Sequence, residues 1–114
     1  MLIISFVLSL SLSAVAAQTS ETTKFKVYGN CGMCKTRIEN AAKADGVEKA
    51  TWSQETKILT LVYNPEKIKL EQVHREIAKS GHDTEEARAA DETYQKLPAC
   101  CKYERPPVEG HEHH

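Results

Sequence analysis

The sequence predicts an α+β sandwich of split order β-α-β-β-α-β, with a short fourth strand, followed by a short C-terminal helix and a disordered tail. Three observations predict it. Ile58-Leu59-Thr60-Leu61-Val62-Tyr63 is the strongest β-signal in the chain. Two helical patterns, one before and one after that run, each reach a glycine stop, Gly46 and Gly81. A shorter alternating run, Thr22 to Tyr28, precedes the first helical pattern.

In the first strand Phe25 and Val27 share one face while Lys24, Lys26 and Tyr28 share the other, as in a half-buried strand. From Cys34 to Ala44, Ile38, Ala41 and Ala42 recur at helical spacing among charged residues, and the small alanines let the helix lie close on a sheet. Val47 to Ser53 reads as the second strand, with Ala50 and Trp52 on one side and Gln54-Glu55-Thr56 as the following turn. The third strand, Lys57 to Tyr63, lacks clean alternation, which predicts partial cover on both faces. Asn64-Pro65 closes it. The second helix runs from about Glu66 or Ile68 to Lys79, with Leu70, Val73, His74 and Ile77 in an i, i+3, i+4, i+7 stripe.

The fourth strand is expected at Glu85 to Arg88 on topology alone, because His82 to Ala90 is polar and alanine-rich. A helix from Asp91 to Leu97, stopped by Pro98, then leads to Cys100-Cys101. From Lys102 onward, with Pro106-Pro107 and the histidines His111, His113 and His114, the chain reads as disordered.

Composition bounds the function. Leu2 to Leu12 is apolar apart from serines, Ala14-Val15-Ala16-Ala17 follows, and the first charged residue is Glu21. This pattern predicts a secretory signal over residues 1–17, cleaved after Ala16 or Ala17, and a periplasmic or secreted protein. The apolar core is shorter than the ~20 residues of a membrane span, so the membrane is involved only through that segment if it stays uncleaved. The remaining chain suffices for one small domain. Its 15 basic and 16 acidic residues nearly cancel, which gives no footprint for nucleic acid.

The four cysteines come as two close pairs, Cys31 with Cys34 and Cys100 with Cys101. An even count in an exported chain suggests a disulfide framework. The spacing argues partly against one, since adjacent cysteines pair with each other only under strain and a scaffold spreads its bridges. In Gly29-Asn30-Cys31-Gly32-Met33-Cys34-Lys35 one thiol lies on the loop after the first strand. The other lies at a helix N-terminus, where free N–H groups and the macrodipole favour thiolate.

The β-α-β-β-α order with a CxxC between first strand and first helix, the glycine-ended second helix and the Asn64-Pro65 stop resemble the heavy-metal-associated domain family. That family comprises copper chaperones, the N-terminal modules of copper-pumping ATPases and periplasmic mercury scavengers. The resemblance covers about Thr22 to Arg88, within a domain expected over residues 22–90, implies a ferredoxin-like fold, and implies metal binding through Cys31 and Cys34. The family's usual methionine two residues before the first cysteine is absent, Gly29 and Asn30 occupying that region, and Met33 lies between the thiols. Residues 91–103 and the tail 104–114 fall outside the resemblance. By family analogy the partner is a membrane copper exporter or efflux pump.

Two thiolates in a C-x-x-C turn suit the low coordination number that Cu(I) accepts with sulfur, and Hg(II), Ag(I) and Zn(II) also accept thiolates. A structural zinc site needs four ligands, for which Cys100 and Cys101, or His82 and His74, are the nearby sources. His82 follows Gly81 in a loop that the family turns toward the metal, so it is a candidate for a supporting role around the ligands, for an occasional third ligand, or for a surface histidine. His74 reads as a helix boundary residue. Met33 is a weak thioether donor or cover for the loop, and Lys35 and Arg37 are placed to offset thiolate charge.

Cys100 and Cys101 are expected to return to the metal loop. A helix from Asp91 to Leu97 spans about 10 Å, comparable with the ~13–17 Å of a four- or five-residue strand. The competing arrangement is a separate scavenging patch with the tail histidines. The competing function is an exported thiol-disulfide oxidoreductase using the same CxxC. Against it stand the strand order and the position of the first proline, Pro65. No Ser/His/Asp set or carboxylate pair supports hydrolysis, so the chain reads as a carrier or scavenger and not an enzyme.

Overall fold

The computed structural model describes residues 19–108. The signal segment 1–17 and the tail histidines lie outside the described residues. Three strands, β1 (Glu21–Lys26), β2 (Val47–Trp52) and β3 (Ile58–Tyr63), form an antiparallel sheet in the order β1-β3-β2. Helices α1 (Gly32–Ala42) and α2 (Leu70–Lys79) pack together, and a short α3 (Asp91–Gln95) and a 3-10 turn (Ala99–Cys101) follow. Among the described residues no helix is long and apolar enough to cross a membrane.

Alternation decides which sheet face is covered. Phe25, Ala50, Trp52, Leu59, Leu61 and Tyr63 are buried and join Ile38 and Ala42 of α1 and Val73 and Ile77 of α2 in one core. Each large apolar side chain removed from water there contributes roughly 1.5–3 kcal/mol. β3 is the central strand, and the face carrying Ile58, Thr60 and Val62 is only half-buried. A one-residue irregularity between Val47 and Lys49 keeps β2 in register, setting Ala50 opposite Leu61 and Trp52 opposite Leu59.

The second helix ends as its glycine requires. Gly81 adopts φ +106°, its N–H donates to Ala78 O (3.0 Å), and the His82 N–H reaches Ile77 O (3.4 Å). This paired closure turns the chain toward the first strand. A Cβ on Gly81 would also sit 2.8 Å from Leu97 Cδ2, so the glycine makes room for the C-terminal segment.

The fourth strand expected at Glu85 to Arg88 is reduced to one bridge, Val27 opposite Thr84. The Tyr28 N–H donates to Asp83 O (2.8 Å) and the Glu85 N–H to Lys26 O (3.2 Å). The pairing therefore lies earlier in the chain and stops at once. Thr84 is the reason: its Oγ1 accepts the Glu86 and Ala87 N–H groups (3.1 and 2.9 Å), and its own N–H donates to Ala87 O (2.8 Å). A side-chain-closed turn takes the backbone groups a longer strand would need.

The segment after Lys102, expected to be disordered, is held as far as Pro106. Tyr103 is buried, Arg105 pairs with Asp83 and Asp91, and Arg88 Nη1 donates to Pro106 O (2.8 Å). Each anchor pairs with a residue far away in sequence, so composition carried no sign of it.

Candidate metal centre

Cys31 is the N-cap of α1, with extended backbone (φ −119°, ψ 178°), and its carbonyl accepts the first helical N–H, from Lys35 (3.1 Å). Cys34 lies in the first turn and is buried beside Ile38. Their sulfurs are 3.4 Å apart. A β-strand feeding a helix through this loop therefore converges both thiols on one point.

The close approach at Gly29 shapes the loop. A Cβ there would lie 3.1 Å from Cys34 Cβ, Ile38 Cδ1 and Trp52 Cη2. The Trp52 indole thus packs against Gly29, at the position where the family places methionine, and its Nε1–H donates to Val27 O (3.0 Å).

The C-terminal segment brings the second pair of cysteines to the same place. Cys101 Sγ is 3.6 Å from Cys31 Sγ, and Cys100 Sγ is 3.3 Å from it. Cys31, Cys34 and Cys101 have sulfurs all within 4.8 Å of one another. Among the described residues they are the one group of three or more thiol, imidazole or carboxylate ligand atoms so placed. Cys101 is buried, Cys31 half-buried and Cys100 exposed, and all four are free thiols. Met33 is exposed, with its sulfur 3.5 Å from that of Cys100.

The electrostatics separate these thiols. The Cys34 N–H facing its sulfur brings the Cys31 thiol down to about 6, with burial opposing and the neighbouring thiols of Cys100, Cys34 and Cys101 adding to the effect. Cys100 is pushed up, first by its bond to Cys31 and then by burial. Burial pushes Cys101 up further. Cys31 is thus the sulfur drawn toward the thiolate form, by the Cys34 N–H first and by its thiol neighbours after it.

Two expected charge partners are elsewhere. Lys35 Nζ donates to Glu39 (2.6 Å) and to Trp52 O (2.8 Å), and Arg37 Nη2 to Ser80 O (3.4 Å), so both cations serve helix and backbone acceptors. His82 is not on the surface. It is buried, its Nδ1 bonds Tyr28 O (2.8 Å), and its ring stacks on Tyr103 with centroids 5.5 Å apart. It stands outside the sulfur group and supports the C-terminal segment. His74 bonds Thr84 Oγ1 (2.6 Å) and packs on Phe25, a core histidine outside the cluster.

Sequence reasoning missed Tyr103, Asp83 and Arg105. The Tyr103 hydroxyl donates to Gly81 O (2.9 Å) and accepts the Asp83 N–H (2.8 Å). With the Asn30 amide oriented to satisfy both partners, its oxygen accepts the Tyr103 N–H (3.2 Å) and its nitrogen donates to Gly29 O (3.3 Å). The CxxC loop is thereby tied to the C-terminal segment. A lone tyrosine in a polar tail was the one signal the sequence offered.

The family model described as the heavy-metal-associated domain matches residues 25–83, which include Cys31 and Cys34. The chain belongs to that family. Among solved structures, this heavy-metal-associated domain is similar to a CopZ metallochaperone, at 29% identity over 56% of this chain and 98% of that one, with a TM-score of 0.54. The N-terminal domain of a potential copper-translocating P-type ATPase from Bacillus subtilis, solved in its Cu(I)-loaded state, is 26% identical over 58% of this chain and 85% of that one (TM-score 0.55). Oxidized MerP from Ralstonia metallidurans CH34, at 22% identity over 58% of this chain and 94% of that one (TM-score 0.55), shares the fold. No curated protein matches the chain. The matched region ends at residue 83, so the segment bearing Cys100 and Cys101 lies beyond it.

Proposed function

We propose that this protein is an exported carrier or scavenger of a soft metal ion, Cu(I) foremost, which it binds through Cys31 and Cys34 and hands to a membrane copper exporter or efflux pump. The observation that carries this reading is the 3.4 Å approach of the two sulfurs at the N-terminus of α1, where the Cys34 N–H brings the Cys31 thiol down to about 6. Sulfur donors of that charge and number suit Cu(I), and Ag(I) and Hg(II) would be held the same way. Likeness to a CopZ metallochaperone and to a copper-translocating ATPase domain supports copper as the cargo and such a membrane pump as the recipient. The apolar run and small residues of 1–17 support an export signal, and with it a role in the periplasm or outside the cell limiting free metal. The role is binding and transfer, with no bond of a substrate made or broken.

Competition with a high-affinity Cu(I) chelator tests it. The reduced mature protein should withdraw one Cu(I) per chain, and the Cys31→Ser/Cys34→Ser double variant should lose tight binding while its circular dichroism stays native. Undiminished competition by the double variant would sink the assignment.

A further inference from the structure

The cluster holds more sulfur than a two-thiolate carrier uses. Cys101 buries its thiol against two others at the end of a segment fixed on both sides. Before it, Leu97 packs into the space left by Gly81. After it, Tyr103 bonds Gly81 and Asp83, and Arg105 bonds Asp83, Asp91 and Ala89 O. Cys101 is therefore held beside the loop by protein contacts on both sides of it.

The spacing of the three sulfurs fits one shared ion. Three thiolates about 2.3 Å from a single metal in a plane are spaced by roughly 4 Å. Here Cys31 is 3.4 Å from Cys34 and 3.6 Å from Cys101, and no pair in the trio exceeds 4.8 Å. Cys100 differs: it is exposed, touches Cys31 at 3.3 Å and Cys101 at 4.0 Å, and stands outside the trio.

We propose that Cys101 is a third protein ligand, so that Cys31, Cys34 and Cys101 hold Cu(I) in a three-sulfur site, with exposed Cys100 as the sulfur on which the ion enters and leaves. The inference rests on the Cu(I) reading of Cys31 and Cys34. Binding forms three Cu–S bonds and releases the thiol protons to solvent, with no electron transferred. In exchange, a Cu–S bond to Cys100 forms as one to a resident sulfur breaks, and the ion stays bound throughout. A site closed in this way retains its ion better than an open CxxC, which suits scavenging, and yields it only to an acceptor that can reach Cys100.

X-ray absorption on the full mature chain, reduced and loaded with one equivalent of Cu(I), counts the sulfurs. The expected result is three in the wild type and in Cys100→Ser, and two in Cys100→Ser/Cys101→Ser. Chelator competition should show that double variant weaker than Cys100→Ser by about tenfold or more, the scale of loss when metal-site partners are removed. Cys100→Ser should instead slow delivery to an acceptor that carries a CxxC. Two sulfurs in the wild type overturn the proposal, whether or not a Cys101 variant folds, and leave the two-cysteine carrier standing. Two sulfurs in Cys100→Ser also overturn it, because the third ligand would then be Cys100. Failure of the wild type to take up Cu(I) at all would instead remove the reading on which the proposal rests.

Discussion

Arg105 grips Asp83 with both edges of its guanidinium, Nε to Oδ2 and Nη2 to Oδ1, each at 2.9 Å, and the Asp83 side chain is 1% exposed. Asp83 also accepts the Ala89 N–H (2.7 Å), so one carboxylate ties the bend after α2 to the C-terminal segment. Arg105→Ala leaves that carboxylate buried without its partner. The expected cost is about 3 kcal/mol in urea denaturation. A loss below ~0.5 kcal/mol, the scale of an exposed pair, would show that the clamp does not hold the segment.

Acid should weaken the fold in two stages. Burial holds His74 and His82 below the usual 6.5, so beneath that pH the unfolded chain takes up protons before the folded one. The histidine contribution is then complete above about 7 and falls as the pH drops through 6.5 toward the folded values. Burial alone would raise Asp83, but the bonds from Arg105 and the Ala89 N–H outweigh it and keep it below 3.8. Its contribution is complete above 3.8 and disappears as the pH falls through the folded value. Urea midpoints between pH 8 and 3 report both stages, and His74→Gln should flatten part of the first. A midpoint unchanged between pH 7 and 5 contradicts the histidine assignment.

Reactivity of the apo thiols should not follow exposure. Cys31 is half-buried yet brought down to about 6 by the Cys34 N–H, whereas Cys100 is exposed and held above its ordinary value by its bond to Cys31. A short pulse of iodoacetamide at pH 7, read by peptide mass spectrometry, should label Cys31 first. Preferential labelling of Cys100 would mean that the thiolate resides elsewhere.

Gly29→Ala should destabilise the domain by about 1–3 kcal/mol, since the added carbon meets Cys34, Ile38 and Trp52 at 3.1 Å. Trp52→Phe in the same chain removes one of these contacts and should recover part of that cost. Equal costs of Gly29→Ala with Trp52 and with Phe at position 52 would rule out the contact as the cause.

Transfer to an acceptor domain with an exposed CxxC should proceed by contact. The observed rate is expected to rise with acceptor concentration and to exceed the rate of loss to a non-thiol chelator. A rate independent of acceptor would mean that the ion is released to solvent first.

The core strands and helices were legible in the sequence because their signals are local. Phe25 and Val27, Ala50 and Trp52, and Val73, His74 and Ile77 fall on buried faces that period alone assigns. The closeness of Cys31 and Cys34 was legible for the same reason, since a strand-to-helix junction brings two residues three apart together.

What only the tertiary structure decided depends on groups distant in sequence. Glu85 to Arg88 carried no β-signal, and Thr84 closed the chain into a turn after a single bridge to Val27. Lys102 to Pro106 has no hydrophobic period, and its order comes from Asp83, Gly81 and Asn30, residues whose relevance exists only once α2 has ended at Gly81. A helical stripe or an alternating strand repeats its signal every few residues. A bidentate ion pair or a tyrosine hydroxyl between two backbone groups occurs once, and its partner is named by the fold.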